Sequence, residues 1–128
     1  MKTIVVSVQN GLLAEGIIRT LKESGEFRAY KTVPGKSNSV LWDCESLNPD
    51  ILLMEVSHAP DSTLPKRLEE GAAVRKALPH CKLVLLCDEN AAPDIARQVI
   101  LAKQDGRIDT FFYSSVTGSY LTAALSAL

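Results

Sequence analysis

The chain has 128 residues, 46% hydrophobic and 23% charged, a balance that fits one globular domain burying about two-thirds of its unfolded surface. Fourteen Lys and Arg stand against fifteen Asp and Glu, a formal net charge of -1, and like charges are interspersed rather than blocked. That pattern argues against direct nucleic-acid binding, which needs clustered cations. No run reaches the ~18 apolar residues of a membrane span, and no signal core follows the N-terminus. Cys44, Cys81 and Cys87 form an odd set without a close pair motif. The expectation is a reduced, cytoplasmic chain with no membrane segment and no bound cofactor.

Short β-branched runs alternate with segments of helical period from end to end. Residues 3–8 are nearly all apolar, as in a strand buried on both faces. Asn10 is placed to cap a helix whose Leu13, Ile17 and Leu21 recur on one side, and Gly25 stops it. Residues 27–33 read as a second strand, and Pro34-Gly35 as a turn. Val40, Leu41, Cys44 and Leu47 make a short amphipathic helix ended by Asn48-Pro49. Residues 51–56 are the third strand, closing near Glu55, and a polar loop over 57–63 leads into a helix. That helix carries Leu64, Leu68, Gly71, Val74 and Leu78 at helical spacing before Pro79 breaks it. Residues 83–87 form the fourth strand. Asp88 or Asn90 caps the next helix, with Pro93 in its first turn and Ile95, Val99 and Ala102 facing inward. Residues 108–113 are the last strand and 117–128 the last helix. The series is (βα)5, an α/β chain with helices on both faces of a parallel sheet, forming a single domain over 1–128.

In such sheets ligands bind beyond the carboxyl ends of the strands. The residues there are Val8, Gln9 and Asn10 after the first strand, Glu55 to His58 after the third, Cys87 and Asp88 after the fourth, and Tyr113 to Ser115 after the fifth.

At this point the pattern resembles the receiver domains of two-component response regulators. The segment Asn48-Pro49-Asp50-Ile51-Leu52-Leu53-Met54-Glu55-Val56 looks like the one that carries the phospho-acceptor. Ala14-Glu15-Gly16-Ile17 is similar to the first helix of LuxR/NarL-type regulators, which carry a C-terminal helix-turn-helix. Lys82-Leu83-Val84-Leu85-Leu86-Cys87 matches the strand before the switch hydroxyl. The resemblance spans essentially the whole chain and implies a CheY-like, flavodoxin-like doubly wound sheet of five parallel strands in the order 2-1-3-4-5.

A working receiver needs two acids after the first strand and an acceptor Asp to hold Mg2+, a hydroxyl after the fourth strand and a Lys after the fifth. Here those positions fall on Val8 and Gln9, on Glu55, on Cys87 and on Tyr113, a degenerate pocket. No shift of alignment restores it. No Asp or Glu precedes Glu15, and no Lys or Arg follows Arg107. One carboxylate does not hold Mg2+ tightly, and developing phosphoryl charge would lack its usual partners.

Glu55 then has three readings: a mimic of phosphorylated aspartate, an acceptor in its own right, or a solvated strand-end carboxylate. Cys87 and His58 invite a metal or thiol-enzyme reading, but zinc normally wants three or four ligands, and the plainer reading is a buried Cys and a loop His. Ser7 and Ser114-Ser115 either cap turns or donate to an anion. Trp42 reads as a packing residue. Phe111, Phe112, Tyr113 and Tyr120 mark either core or an exposed dimer face beside the fourth and fifth helices.

The expectation is a non-enzymatic receiver-like module that works without phosphorylation, by protein contact or homodimerisation. It would serve as the regulatory domain of a transcription factor, with a DNA-binding domain following Leu128 in the native product. A pseudo-receiver that senses a small molecule is the alternative, and a thiol or phosphotransfer enzyme is the third.

Overall fold

The computed structural model describes residues 1–32, 39–87 and 93–128. The turn expected at Pro34-Gly35, the end of the second strand at Val33 and the helix cap at Asp88 or Asn90 lie outside the described residues. Among those described, the order is β1 (Lys2–Ser7), α1 (Gly11–Glu23), β2 (Phe27–Thr32), α2 (Ser39–Leu47) and β3 (Ile51–Val56). It continues with α3 (Leu64–Ala77), β4 (Lys82–Cys87), α4 (Pro93–Gln104), β5 (Thr110–Tyr113) and α5 (Gly118–Ser126). All five strands are parallel, in the order β2-β1-β3-β4-β5. This is the doubly wound, CheY-like arrangement expected from the sequence.

Strand side chains alternate between two cores. Val5, Leu52, Met54 and Leu85 join Cys44 of α2, Val74 of α3 and Val99 of α4 on one face. Ile4, Val6, Leu53 and Val84 join Ile17 and Leu21 of α1 and Leu125 of α5 on the other. Every residue from Ile51 to Met54 is at most 1% exposed, which is why this run carries no polar alternation. At Gly71, α3 packs close to the sheet, since a Cβ there would lie 3.1 Å from a Leu83 methyl.

Where element ends differ from expectation, the causes are local. Asn10 caps α1 as expected, accepting from the Leu13 amide at 3.2 Å. Thr117 stands outside α5 as its cap, accepting from the Tyr120 amide at 3.2 Å. Asn48 ends α2 with φ 49°, a left-handed value that asparagine tolerates well, and Pro49 follows. Ile108 and Asp109 precede β5 because the Asp109 carboxylate takes the Leu83 amide at 2.7 Å and the Arg75 guanidinium at 2.9 Å. Among the described residues no helix is long and apolar enough to cross a membrane.

Cys44, Cys81 and Cys87 are buried, and none is in a disulfide. Burial, with a smaller contribution from neighbouring charge, pushes the Cys44 thiol from an ordinary 9.0 up to about 12. Burial likewise raises Cys81 from 9.0 to about 11. Below pH 9.0 both folded and unfolded chains hold these protons; above it the unfolded chain releases protons that the folded chain keeps. Stability from these groups is therefore lost as pH rises from 9.0 towards the folded values. Urea unfolding should show a midpoint that falls through this range, and Cys44→Ala should shallow the slope by up to about 1.4 kcal/mol per pH unit. An unchanged slope would show that Cys44 is not protected by burial.

Candidate functional site

The strand order reverses between β1 and β3, and the edge at their carboxyl ends holds a cavity of about 440 Å3. Glu55, Ser57 and His58 line it from the end of β3 and the loop after it. Asn10 at the start of α1, Cys87 at the end of β4 and Ser114 after β5 supply other polar or polarisable atoms. Leu13, Leu86 and Ile95 give it an apolar side.

The positions aligned with the receiver machinery have different surroundings. Val8 is 0% exposed and belongs to the core on the α1 and α5 side. Gln9 is exposed and reaches Glu55 through its backbone, the amide donating to Oε1 at 3.3 Å. Glu55 is half-buried and Cys87 buried, and both line the cavity. Tyr113 is not among the described lining residues. It packs edge-on against Phe111, ring centroids 5.8 Å apart, beside the opposite core. The structure thus brings together Glu55, Cys87 and the Gln9 backbone, and leaves Val8 and Tyr113 to packing. His58 lines the same cavity, yet no group of three or more His, Cys, Asp or Glu among the described residues could hold a metal ion.

One charged residue at this edge is not apparent from the receiver alignment. Arg67, in the first turns of α3, is completely buried. Its Nε donates to the Glu55 carbonyl at 2.7 Å, and its Nη2 to the Ser7 carbonyl at 2.8 Å. Nη1 donates to Ser7 Oγ at 2.9 Å and to Glu70 Oε1 at 3.3 Å. Ser7 is therefore committed to an internal cation. Burial lowers the Arg67 pKa from its ordinary value, while Glu70 first, then Glu55 and Asp61, act in the opposite direction. Burial also raises the Glu70 pKa, and its pairing with Arg67 opposes that rise. The sequence did contain a signal: Leu64, Arg67, Leu68, Gly71 and Val74 fall on one helical stripe, and an arginine among apolar neighbours there needs internal partners.

The aromatic residues near β5 divide. Phe112 is buried and meets Tyr120 edge-on at 6.3 Å, while Tyr120 is 61% exposed. Phe111 and Tyr113 are half-buried, and Lys103 Nζ lies 5.8 Å from the Phe111 ring centre. Trp42, expected to pack, is 71% exposed because Val40 and Cys44 occupy the inner side of α2.

Replacing Arg67 with Met removes four hydrogen bonds and deprives two strand-end carbonyls and a buried hydroxyl of their side-chain donor. The expected loss is about 3–5 kcal/mol in urea unfolding. Arg67→Lys should recover little of it, because an ammonium cannot reproduce the planar fork. Full recovery by Lys would show that charge alone, and not the fork, holds this edge.

No protein-family profile matches the sequence, and no curated protein matches it. Solved structures do. The receiver domain of the putative response regulator NarL from Mycobacterium tuberculosis is 22% identical, with a TM-score of 0.75 over 97% of this chain and 92% of that one. A DNA-binding response regulator of the LuxR family from Staphylococcus aureus is 14% identical, with a TM-score of 0.75 over 99% and 98%. A CheY-like receiver domain protein from Methanospirillum hungatei JF-1 is 13% identical, with a TM-score of 0.74 over 99% and 92%. The fold of this chain is that of response-regulator receiver domains.

Proposed function

We propose that the chain is a receiver-type signalling module that acts by protein contact or dimerisation, without phosphoryl transfer. It serves in the cytoplasm as the regulatory part of a response-regulator-type transcription factor, whose DNA-binding part lies elsewhere in the native product. One observation carries this reading: the fold is that of a receiver, yet Val8, Gln9, Cys87 and Tyr113 stand where its chemistry needs acids, a hydroxyl and a Lys. Glu55 alone offers a carboxylate from these positions, too few oxygen ligands for Mg2+. Phosphoryl transfer depends on positioning and charge stabilisation, and Val8, Gln9, Cys87 and Tyr113 supply neither.

With the carboxyl edge deprived of that reaction, the output is carried by surface. The α4, β5 and α5 side supports such a role. Tyr120 lies exposed over Phe112, Phe111 carries Lys103 across its ring, and Ile100 of α4 is 39% exposed. Aromatic residues backed by a packed core are well suited to contact, since they bury large area at small entropic cost.

Beryllofluoride with Mg2+ should leave the amide NMR spectrum and the solution mass of the chain unchanged. Shifts centred on Glu55 would overturn phosphorylation independence. Sedimentation should show self-association that Tyr120→Glu abolishes without changing the circular dichroism spectrum. A monomeric wild-type chain would remove the homodimer and leave contact with a different protein.

A further inference from the structure

The cavity at the carboxyl edge has a chemistry of its own. Glu55, the one carboxylate among the described lining residues, is half-buried, and its only hydrogen bond among the described residues is the 3.3 Å contact from the Gln9 amide to Oε1. No Lys or Arg is among the described lining residues. The nearby cation, Arg67, does not pair with this carboxylate. It is sealed from solvent, and it makes four hydrogen bonds, to Ser7, Glu70 and the Glu55 carbonyl. Oε2 of Glu55 is thus an acceptor without a partner among the described residues, at the wall of a cavity of about 440 Å3. That volume lies within the range of about 300–1,000 Å3 that holds small ligands.

We propose that this cavity binds a small organic cation, a primary amine with an apolar tail. The ammonium pairs with Glu55, and the hydroxyls of Ser57 and Ser114 lie within the same lining to receive its remaining protons. The tail rests on Leu13, Leu86 and Ile95. Other ligand classes fit less well. Among the described lining residues an anion would meet Glu55 with no Lys or Arg to offset it, and a metal ion would find too few ligands. A wholly apolar molecule would bury the carboxylate without compensation.

The site accords with the phosphorylation-independent reading, but occupancy by an amine is measured separately from self-association and from beryllofluoride binding, so each can fail alone. The test is a titration of the whole chain with 2-phenylethylamine, followed by amide NMR, with the near-isosteric 2-phenylethanol and 3-phenylpropanoate as neutral and anionic comparisons. The amine should give saturable shifts at Gln9, Glu55, Ser57 and Leu86, with a Kd on the order of millimolar for so small a probe. The alcohol and the carboxylate should bind at least about tenfold more weakly, and Glu55→Gln should weaken the amine by a similar factor. Glu55→Gln keeps the shape of the side chain at a partly exposed position, and its spectrum reports directly whether the fold persists. Absence of saturable shifts with the amine, equal binding by the alcohol, or undiminished binding to Glu55→Gln would each overturn the proposal. Shifts confined to the α1–α5 groove around Gly16, Thr20 and Gly118 would overturn it as well.

Discussion

A guanidinium without solvent exposure lies beneath the carboxyl ends of β1 and β3, and the local order of this edge depends on it. Taking a charge out of water costs several kcal/mol, so the site persists only if hydrogen bonds repay that cost. Arg67 supplies them in a planar fork: Nε to the Glu55 carbonyl, Nη2 to the Ser7 carbonyl, and Nη1 to Ser7 Oγ and Glu70. The carbonyl ends of parallel strands point beyond the last rung of the ladder and require donors from outside the sheet. One side chain from α3 meets two of these requirements and fixes the helix to the strands in the same act. The loop between β3 and α3 is held as well, through the Ser57 amide to the Ser62 carbonyl at 2.9 Å and the Ser62 amide to the Ala59 carbonyl at 2.9 Å.

This arrangement gives the edge a cation of a different kind from that of a phosphorylated receiver. A Lys reaching from β5 towards solvent would be available to an incoming anion. Arg67 is enclosed, its positive charge already distributed over carbonyls, a hydroxyl and Glu70. Among the described residues that line the cavity on the solvent side, the carboxylate is that of Glu55. Tyr113, at the end of β5, turns to Phe111 and the α4 side, where an aromatic ring gains more from packing than from water.

Much of the architecture was legible in the chain because two hydrophobic periods carry it. Apolar runs such as Ile51 to Met54 permit only a doubly covered strand, and the spacing of Leu13, Ile17 and Leu21 permits only a helix packed on one side. That Val8, Gln9, Glu55, Cys87 and Tyr113 stand at or beside strand ends was legible too, because strand limits place them without knowledge of any side-chain contact. What those side chains touch was less so. Tyr113 and Phe112 differ in exposure through the alternation of β5 and through what α5 lays over it, and neither is a local property. Arg67 lay outside the receiver pattern, since its partners are Ser7 and Glu55, far away in sequence and joined only by the sheet. Trp42 shows the reverse error. Its size favours burial, but α2 is short and its inner side is already filled by Val40 and Cys44.

Glu55 is the residue on which these levels meet. Its backbone is directed inward, where the carbonyl accepts from Arg67, and its carboxylate is directed to the cavity and the Gln9 amide. The Glu55 carboxylate and the Arg67 guanidinium also attract one another without direct contact. The direct partner of the guanidinium remains Glu70, whose Oε1 accepts from Nη1 at 3.3 Å. Because Arg67 belongs to α3 while its carbonyl acceptors belong to β1 and β3, the fork lies at the junction between helix and sheet. Glu55 thus belongs at once to the wall of the cavity, through its side chain, and to the junction of α3 with the sheet, through its carbonyl.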